Sequence, residues 1–434
     1  MKKEILNKEN FRGLSGKANH TYLNGVLLAL NAIPDAYLLL DGPPCGYDKV
    51  YFIDRTHDFF SDIIRRDSFH RVCNTNVRAD HAIVEDRTEE ISRLLLRVAK
   101  VKDCSVVFVS SLPAVTIIGI QYELILNKVQ EQTSIPLIEV RSKSLQGDWL
   151  DGYEETLFSL AKEMRLKESR KKGNNIAIVG YLFDRNEGDH FGNLSEIKRL
   201  LGELSLNLVS VWLSGCSFNR LYDIERAQTI VSLPYGRRAA REIASKTKAD
   251  LIELNLPFGI QNTNDWIHTI ARRLGKIRKS KSLINKELKE TIPTISLAVS
   301  KYLIGRNFSF YGDPYLSYAA TSSLTELGIK IEHAIIFGTQ RSNKNLTSYR
   351  ELPFKTIYEP EYPEISELDM NNIDLCIGNS HMLNLLRARN NKKPFIEFGY
   401  PSFYYHCLTP YPFLGYRGFL NFLNRIVNNV FYIY

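Results

Sequence analysis

The sequence predicts an α/β protein built from three tandem Rossmann-like domains with parallel sheets, and three observations predict it. Continuous apolar runs of strand length recur along the chain, such as Ala36–Leu40, Ser105–Ser110 and Ile176–Gly180; such runs suit strands buried on both faces of a parallel sheet. They alternate with stretches whose apolar residues repeat at helical spacing, which argues for βαβ units. The alternation restarts twice, first after the charged segment Lys167–Asn175 and again near residue 305. A chain of 434 residues is long enough for two or three domains, so boundaries are expected near 1–170, 171–300 and 301–434.

In order, residues Lys2–Lys17 read as an irregular polar arm and Asn19–Asn31 as a short helix. The strand Ala36–Leu40 follows. Glu85–Val101 places Ile91, Leu94, Leu95 and Val98 on one face and is an amphipathic helix. Ser105–Ser110 is a strand, Pro113–Gln130 a helix, Ile135–Val140 a strand and Gly152–Leu166 a helix. After the linker come strand Ile176–Gly180, helix Asn193–Leu204, strand Leu206–Leu213, strand Thr229–Leu233, helix Gly236–Lys246 and strand Asp250–Asn255. A helical stretch from Thr263 is expected to run to about Tyr302 with a break near Pro293. The third domain has Asn307–Tyr311, a helix to Leu327, then strands Lys330–Phe337, Asp374–Gly378 and Phe395–Phe398. A last amphipathic helix, Gly418–Val430, is expected to pack back toward the first domain.

Composition excludes several classes. The net charge of +8 is modest for this length. The basic clusters Arg65-Arg66, Lys167–Lys172, Arg237-Arg238 and Arg272–Lys281 are interleaved with helix patterns rather than gathered with aromatics on one module, so no nucleic-acid partner is expected. No apolar run approaches the roughly 18 residues that cross a bilayer, and the start lacks a signal-peptide pattern; a cytoplasmic protein without a membrane partner is the reading. Six cysteines make no disulfide framework here. Cys-x-x-Cys, His-Glu-x-x-His and Walker-type motifs do not occur, so neither a zinc site of standard spacing nor a phosphate loop is expected.

The stretch Ala36–Asp80 is the most informative. Its strand runs into Asp41-Gly42-Pro43-Pro44-Cys45-Gly46, where two prolines and two glycines force a turn. A cysteine there stands at the carboxyl end of a core strand, where open α/β sheets place their ligands; equally, a free cysteine can be a small buried hydrophobe. Cys73 lies in the polar stretch beside Asn74 and Asn76. Arg237 and Arg238 open a helix, where backbone N–H groups and guanidinium favour an anion, or where they are simply solvated. Arg237, Arg238, Gly312, Asp313 and His406 each follow a predicted strand end, and are expected to line one inter-domain pocket for a cofactor.

Several motifs together resemble one family. Leu40-Asp41-Gly42-Pro43, Ser214-Gly215 followed by Ile224-Glu225-Arg226-Ala227, the loop Leu256–Thr263, Gly312-Asp313-Pro314 with Glu326-Leu327-Gly328, Asp374–Asn379, and Gly399-Tyr400-Pro401 followed by Gly415-Tyr416-Arg417-Gly418 occur in the order and spacing of the nitrogenase component 1 type. That family includes molybdenum–iron protein subunits, scaffold proteins for their cofactor, dark-operative protochlorophyllide reductase subunits and the reductive cyclase of nickel-tetrapyrrole synthesis. The resemblance implies three Rossmann-like domains around a central cleft and assembly as a dimer or dimer of dimers with a homologous subunit. It also implies an iron–sulfur cluster near the subunit interface, a second, unidentified cofactor or a tetrapyrrole among the domains, and electrons from an ATP-dependent iron protein.

The chain departs from the family at the ligand positions. Arg12-Gly13-Leu14 and Ser110-Ser111-Leu112-Pro113 stand where the family has cysteines, and Cys45 is one position earlier than usual. Leu233–Arg238 replaces a further cysteine, and Tyr404-Tyr405-His406-Cys407 occupies the region of a metal-binding histidine. Cys45, with Cys73 as the second candidate, is therefore the expected metal ligand, in a cluster shared with another subunit because iron–sulfur clusters take four ligands. Cys104, Cys216, Cys376 and His190 are expected to be structural or surface residues. Two functions follow from the resemblance: a subunit of a multi-electron oxidoreductase complex, or a non-catalytic scaffold holding a metal-cluster precursor or a tetrapyrrole-like anion.

Overall fold

The computed structural model describes residues 20–64, 70–78, 86–142, 146–169, 173–349 and 351–430. The N-terminal arm with Arg12–Leu14, the pair Arg65-Arg66 and part of the basic run 167–172 lie outside them. By contacts the chain divides into two compact units, one comprising residues 21–254 and 406–410, the other 1–20, 255–405 and 411–434.

The first unit holds two parallel four-stranded sheets. In chain order it begins with α1 (Tyr22–Asn31), β1 (Ala36–Asp41), α2 (Gly46–Ile53), β2 (Val72–Asn74), α3 (Thr88–Ala99) and β3 (Val106–Ser111). These are followed by α4 (Pro113–Thr116), α5 (Tyr122–Gln130), β4 (Leu137–Glu139) and α6 (Trp149–Glu163). The sheet order is β2-β1-β3-β4, and every pair is parallel, with Leu38 opposite Phe108 and Val109 opposite Glu139. β1 and β3 are buried along their whole length, which is why they read as unbroken apolar runs. Their faces pack with Ile91, Leu95 and Val98 of α3 and Ile125, Leu126 and Val129 of α5. The single helix expected over Pro113–Gln130 is two, because Gly119 adopts φ 76° between them, a left-handed conformation that glycine takes without steric penalty.

The second sheet continues with β5 (Asn175–Val179), α7 (Gly188–Glu203), β6 (Asn207–Val211), β7 (Thr229–Ser232), α8 (Arg237–Thr247) and β8 (Asp250–Glu253). Its order is β6-β5-β7-β8, again all parallel. Helix α6 is shared packing material, touching α1 on one side and α8 on the other. Its crossing with α1 requires glycine on both helices. A Cβ on Gly25 would stand 1.8 Å from the Trp149 carbonyl oxygen, and one on Gly152 would stand 2.0 Å from that of Tyr22. The start of α6 is set by Asp148, whose carboxylate accepts from the backbone N–H groups of Leu150 and Asp151 in a capping box.

The other unit contains α9 (Ile260–Arg273), α10 (Ile277–Ala298), β9 (Asn307–Gly312), α11 (Pro314–Glu326), β10 (Lys330–Ile336) and β11 (Lys355–Tyr358). It ends with α12 (Tyr362–Ser366), β12 (Leu375–Gly378), α13 (Ser380–Ala388), β13 (Phe395–Glu397) and α14 (Gly415–Val430). Its five parallel strands run β11-β10-β9-β12-β13, the order of a dinucleotide-type sheet half with flanking strands. The break expected near Pro293 lies instead at Gly275, φ 68°. Pro293 sits inside α10 on its exposed side, where the backbone carbonyl that loses its N–H partner can be hydrated. Helix α14 was expected against the first domain. Its main contacts are with α9, α10 and β13, with the Phe422 ring tilted against Phe398 at 4.8 Å and edge-on to Phe258 at 5.1 Å. Three parallel sheets with helical crossovers make the chain a tandem Rossmann-like α/β protein, as the alternation of patterns predicts.

Candidate functional site

Doubly wound sheets expose their ligand-contacting turns beyond the carboxyl ends of strands where the strand order reverses. In the first sheet that place is the turn after β1. Asp41 is fully buried, and its carboxylate accepts from Arg87 Nη1 at 2.7 Å, Thr75 Oγ1 at 2.7 Å and Tyr122 Oη at 2.6 Å. Thr75 Oγ1 in turn accepts the Gly42 N–H, and Asn74 Nδ2 donates to the Pro43 carbonyl. Arg87 also donates to Glu90. Burial pushes the Tyr122 phenol up, helped by the neighbouring Asp41 charge, and it stays a hydrogen-bond donor. Burial opposes the Arg87 charge, but its bonds to Asp41 and Glu90 outweigh that and raise it.

Above this knot, Cys45 precedes α2 and is exposed. Leu112 packs into the turn: a Cβ on Gly42 would meet Leu112 Cδ1 at 2.6 Å, and one on Gly46 would meet it at 3.4 Å. Cys73 lies in β2 opposite Leu39, half-buried against the core of the first sheet, and burial pushes its thiol up. Burial raises Cys104 and Cys376 further, each to about 12. Among the described residues no group of three or more His, Cys, Asp or Glu could hold a metal ion. A four-ligand cluster held by the described part of this chain alone therefore does not fit. A single exposed thiol at Cys45 fits one ligand of a cluster completed elsewhere.

The turn after β5 is built differently. Gly180 (φ 84°) passes so near the turn after β7 that a Cβ would stand 2.4 Å from the Leu233 carbonyl oxygen. Asp184 then accepts from His190 Nε2 at 2.5 Å and lies 3.3 Å from His57 Nε2, which also bonds the Asp184 carbonyl oxygen at 3.0 Å. His190 Nδ1 meets Tyr181 Oη at 2.9 Å, and Asn193 Nδ2 donates to the same hydroxyl. Arg185 pairs with Asp189. Burial disfavours every charge here. The imidazoles of His190 and His57 nonetheless hold the Asp184 carboxyl well below its usual range, and Asp184 with Asp189 raises His190. Glu187, fully buried, accepts from the Cys407 and Phe59 N–H groups and bonds His406 Nδ1 at 2.7 Å.

The structure places the five expected pocket residues as follows. Arg237 is turned inward, donating to the carbonyls of Ser232 and Leu254. Arg238 points outward, pairs with Glu155 at 2.7 Å, lies 4.1 Å over the Phe158 ring and lines a cavity. His406 is held by Glu187 and lies against Phe59, and does not line that cavity. In the other unit, Gly312 ends β9 and Asp313 caps α11 by accepting from the N–H groups of Tyr315 and Leu316. Sequence reading missed Arg87, Tyr122, Thr75 and Glu187, and treated His190 as incidental. The dense polar run Asp184–His190 directly after a buried strand was the available signal, since charges packed beside a core must pair.

Comparison with known proteins is consistent along the chain. A family described as nitrogenase component 1 type oxidoreductase matches residues 22–431. The nitrogenase molybdenum-iron protein beta chain of Bradyrhizobium sp. (strain ANU 289) is 27% identical over 290 residues, 61% of this chain and 54% of that one. That of Nostoc sp. (strain PCC 7120 / SAG 25.82 / UTEX 2576) is 24% identical over 68% of this chain and 61% of its own. The chain thus spans between half and two thirds of the length of these relatives. A solved structure described as nitrogenase Cp1 at pH 6.5 superimposes with a TM-score of 0.79 over 96% of this chain and 93% of its own at 16% identity, a likeness of fold. No helix among the described residues is long and apolar enough to cross a membrane. With a family match over nearly its whole length, the chain is a member of the nitrogenase component 1 type oxidoreductase family.

Proposed function

We propose that this chain is one subunit of a nitrogenase-like oxidoreductase complex and that it supplies Cys45 as a single thiolate to an iron–sulfur cluster completed by a homologous subunit. The observation that carries this reading is the exposed thiol on the turn after β1, at the strand end where such sheets meet their ligands. A cluster needs about four ligands, which two chains can share, and an exposed thiol is open to a second chain. Electrons would come from an ATP-dependent iron protein, and the cluster would supply the one-electron steps of a multi-electron reduction. The three sheets correspond in this reading to domains near 1–170, 171–300 and 301–434. A second cofactor belongs to this reading, with Arg237, Arg238, Gly312, Asp313 and His406 as its candidate residues.

The chain's own residues have definite tasks. Asp41, held by Arg87, Thr75 and Tyr122, fixes the end of β1. Gly42 and Pro43, tied to Thr75 and Asn74, fix the turn that carries Cys45. Leu112 packs against Gly42 and Gly46 in that turn. The test is anaerobic co-expression with a homologous component 1 type subunit, followed by iron and sulfide analysis. Wild type and Cys73→Ala should carry iron, and Cys45→Ala should lose it together with its visible absorption. Full iron in Cys45→Ala removes the ligand role. A complex that never carries iron makes the protein a non-catalytic scaffold instead.

A further inference from the structure

A cavity of about 350 Å³ opens beside β4, the edge strand of the first sheet, between α5, α6 and the start of α8. That volume is at the lower end of small-molecule sites, roughly 300–1,000 Å³. Its apolar lining comes from Leu126, Leu137 and Phe158. Leu137 and Glu139 fall on the same face of β4 because strand side chains alternate, so a carboxylate stands directly beside this apolar surface.

The charges around the cavity are unevenly satisfied. Glu155 is paired with Arg238 at 2.7 Å, and Glu123 with Arg141 at 3.4 Å. Among the described residues Lys162 is paired with Glu163, at 3.9 Å. Glu139 is half-buried and makes no side-chain hydrogen bond or ion pair at contact distance among the described residues. Burial pushes its carboxyl up, with Arg141 and Lys162 near enough to oppose the shift without touching it. Glu139 thus faces the cavity without a contact partner among the described residues, while Arg141 and Lys162 stand nearby, held only in long, exposed pairs with Glu123 and Glu163. An anion alone would meet Glu139, and a polycation would meet Lys162, Arg141 and Arg238.

We propose that this cavity binds a small zwitterion of the amino-acid type with an apolar side chain, its ammonium on Glu139, its carboxylate toward Lys162 and Arg141, and its hydrocarbon over Leu126, Leu137 and Phe158. The ammonium gives the half-buried carboxylate the partner it lacks, a charge-assisted contact stronger than a neutral hydrogen bond. The site is separate from Cys45 and does not depend on a cluster.

The experiment is isothermal titration calorimetry of the full chain, prepared without metal, with L-leucine as the probe. L-leucinamide and 4-methylpentanoate serve as analogues carrying only the cation or only the carboxylate. Saturable binding of leucine at least tenfold tighter than either analogue is expected. Glu139→Gln should weaken leucine at least tenfold and leave 4-methylpentanoate unweakened, and Lys162→Gln should weaken leucine about threefold, roughly 0.7 kcal/mol at tenfold per 1.4. Absence of saturable heat with leucine at millimolar concentration overturns the proposal, as does leucinamide binding as tightly as leucine or a Glu139→Gln protein that binds leucine normally. If Glu139→Gln does not fold, the three-ligand comparison on wild type decides. Cys45→Ala should bind leucine as wild type does, so loss of iron and loss of leucine binding are separable.

Discussion

The turns after β1 and β5 occupy equivalent places in two sheets of the same strand order, yet they differ in what they present outward. After β1, a compact knot around Asp41 anchors a short turn and leaves Cys45 exposed. After β5, Tyr181, Asp184, Arg185, Glu187, Asp189 and His190 are all buried and bonded among themselves or to His57 and His406. Topology assigns a ligand end to both strands. Both sets of polar side chains are buried and face one another; what differs is that the turn after β1 also carries the exposed thiol of Cys45. Buried charges of the second turn tie segments far apart in sequence, residues 57, 184–190 and 406, into one place. Removing one partner strands the rest in low dielectric.

The largest effect should come from breaking the second knot. Asp184→Asn leaves His190 and His57 without their shared carboxylate, and should lower unfolding stability by about 3–5 kcal/mol, read from urea midpoints at constant m-value. A loss under 1 kcal/mol would mean that Asp184 and His190 do not form the buried charged pair drawn here. Arg87→Ala strands Asp41 in the same way and should cost about 3 kcal/mol. It should also speed thiol labelling of Cys45 by loosening the turn, whereas Asp184→Asn should leave the labelling rate unchanged. Equal labelling in both variants would erase the contrast between the two turns.

The pH dependence of stability sharpens the same comparison. Asp184, lowered in the folded state, contributes stability that is present above its unfolded value near pH 4 and is lost as pH falls through the folded value. His190, raised, contributes fully below about pH 6.5 and loses that contribution as pH rises through its folded value. Urea midpoints from pH 3 to 9 should therefore show a plateau between about 4 and 6.5, with a fall on either side that Asp184→Asn flattens. A wild-type profile still climbing between pH 7 and 9 would contradict the charged pair. The smallest effect belongs to the exposed residue: Cys45→Ala should change stability by no more than about 0.5 kcal/mol, and a loss above 2 kcal/mol would show that the thiol is packed, not presented.

Much of the fold was legible because parallel strands buried on both faces write themselves as apolar runs. Ala36–Asp41, Val106–Ser111 and Asn175–Val179 lie within a residue or so of the runs that predict them. Short or half-exposed elements were not legible. β2 is three residues long, and β11 is not fully buried at any position, so neither carries a periodic signal. Pro293 misled because proline stops a helix only where the backbone cannot find other partners, and at an exposed position water serves.

By itself the sequence determined the alternation of strands and helices, the order of motifs that marks the family, and the thin supply of thiols: these depend on residue type and near neighbours. The tertiary structure alone decided which charged residues are partners and which face outward. Arg237 and Arg238 are adjacent in sequence, yet one bonds backbone carbonyls inside the unit and the other borders a cavity. Glu139 and Glu155 are both acidic residues beside apolar ones, yet only Glu155 has an arginine at contact distance. Pairing of this kind joins residues separated by tens to hundreds of positions, and Coulomb energy depends on distance in space and on local burial, neither of which local sequence encodes.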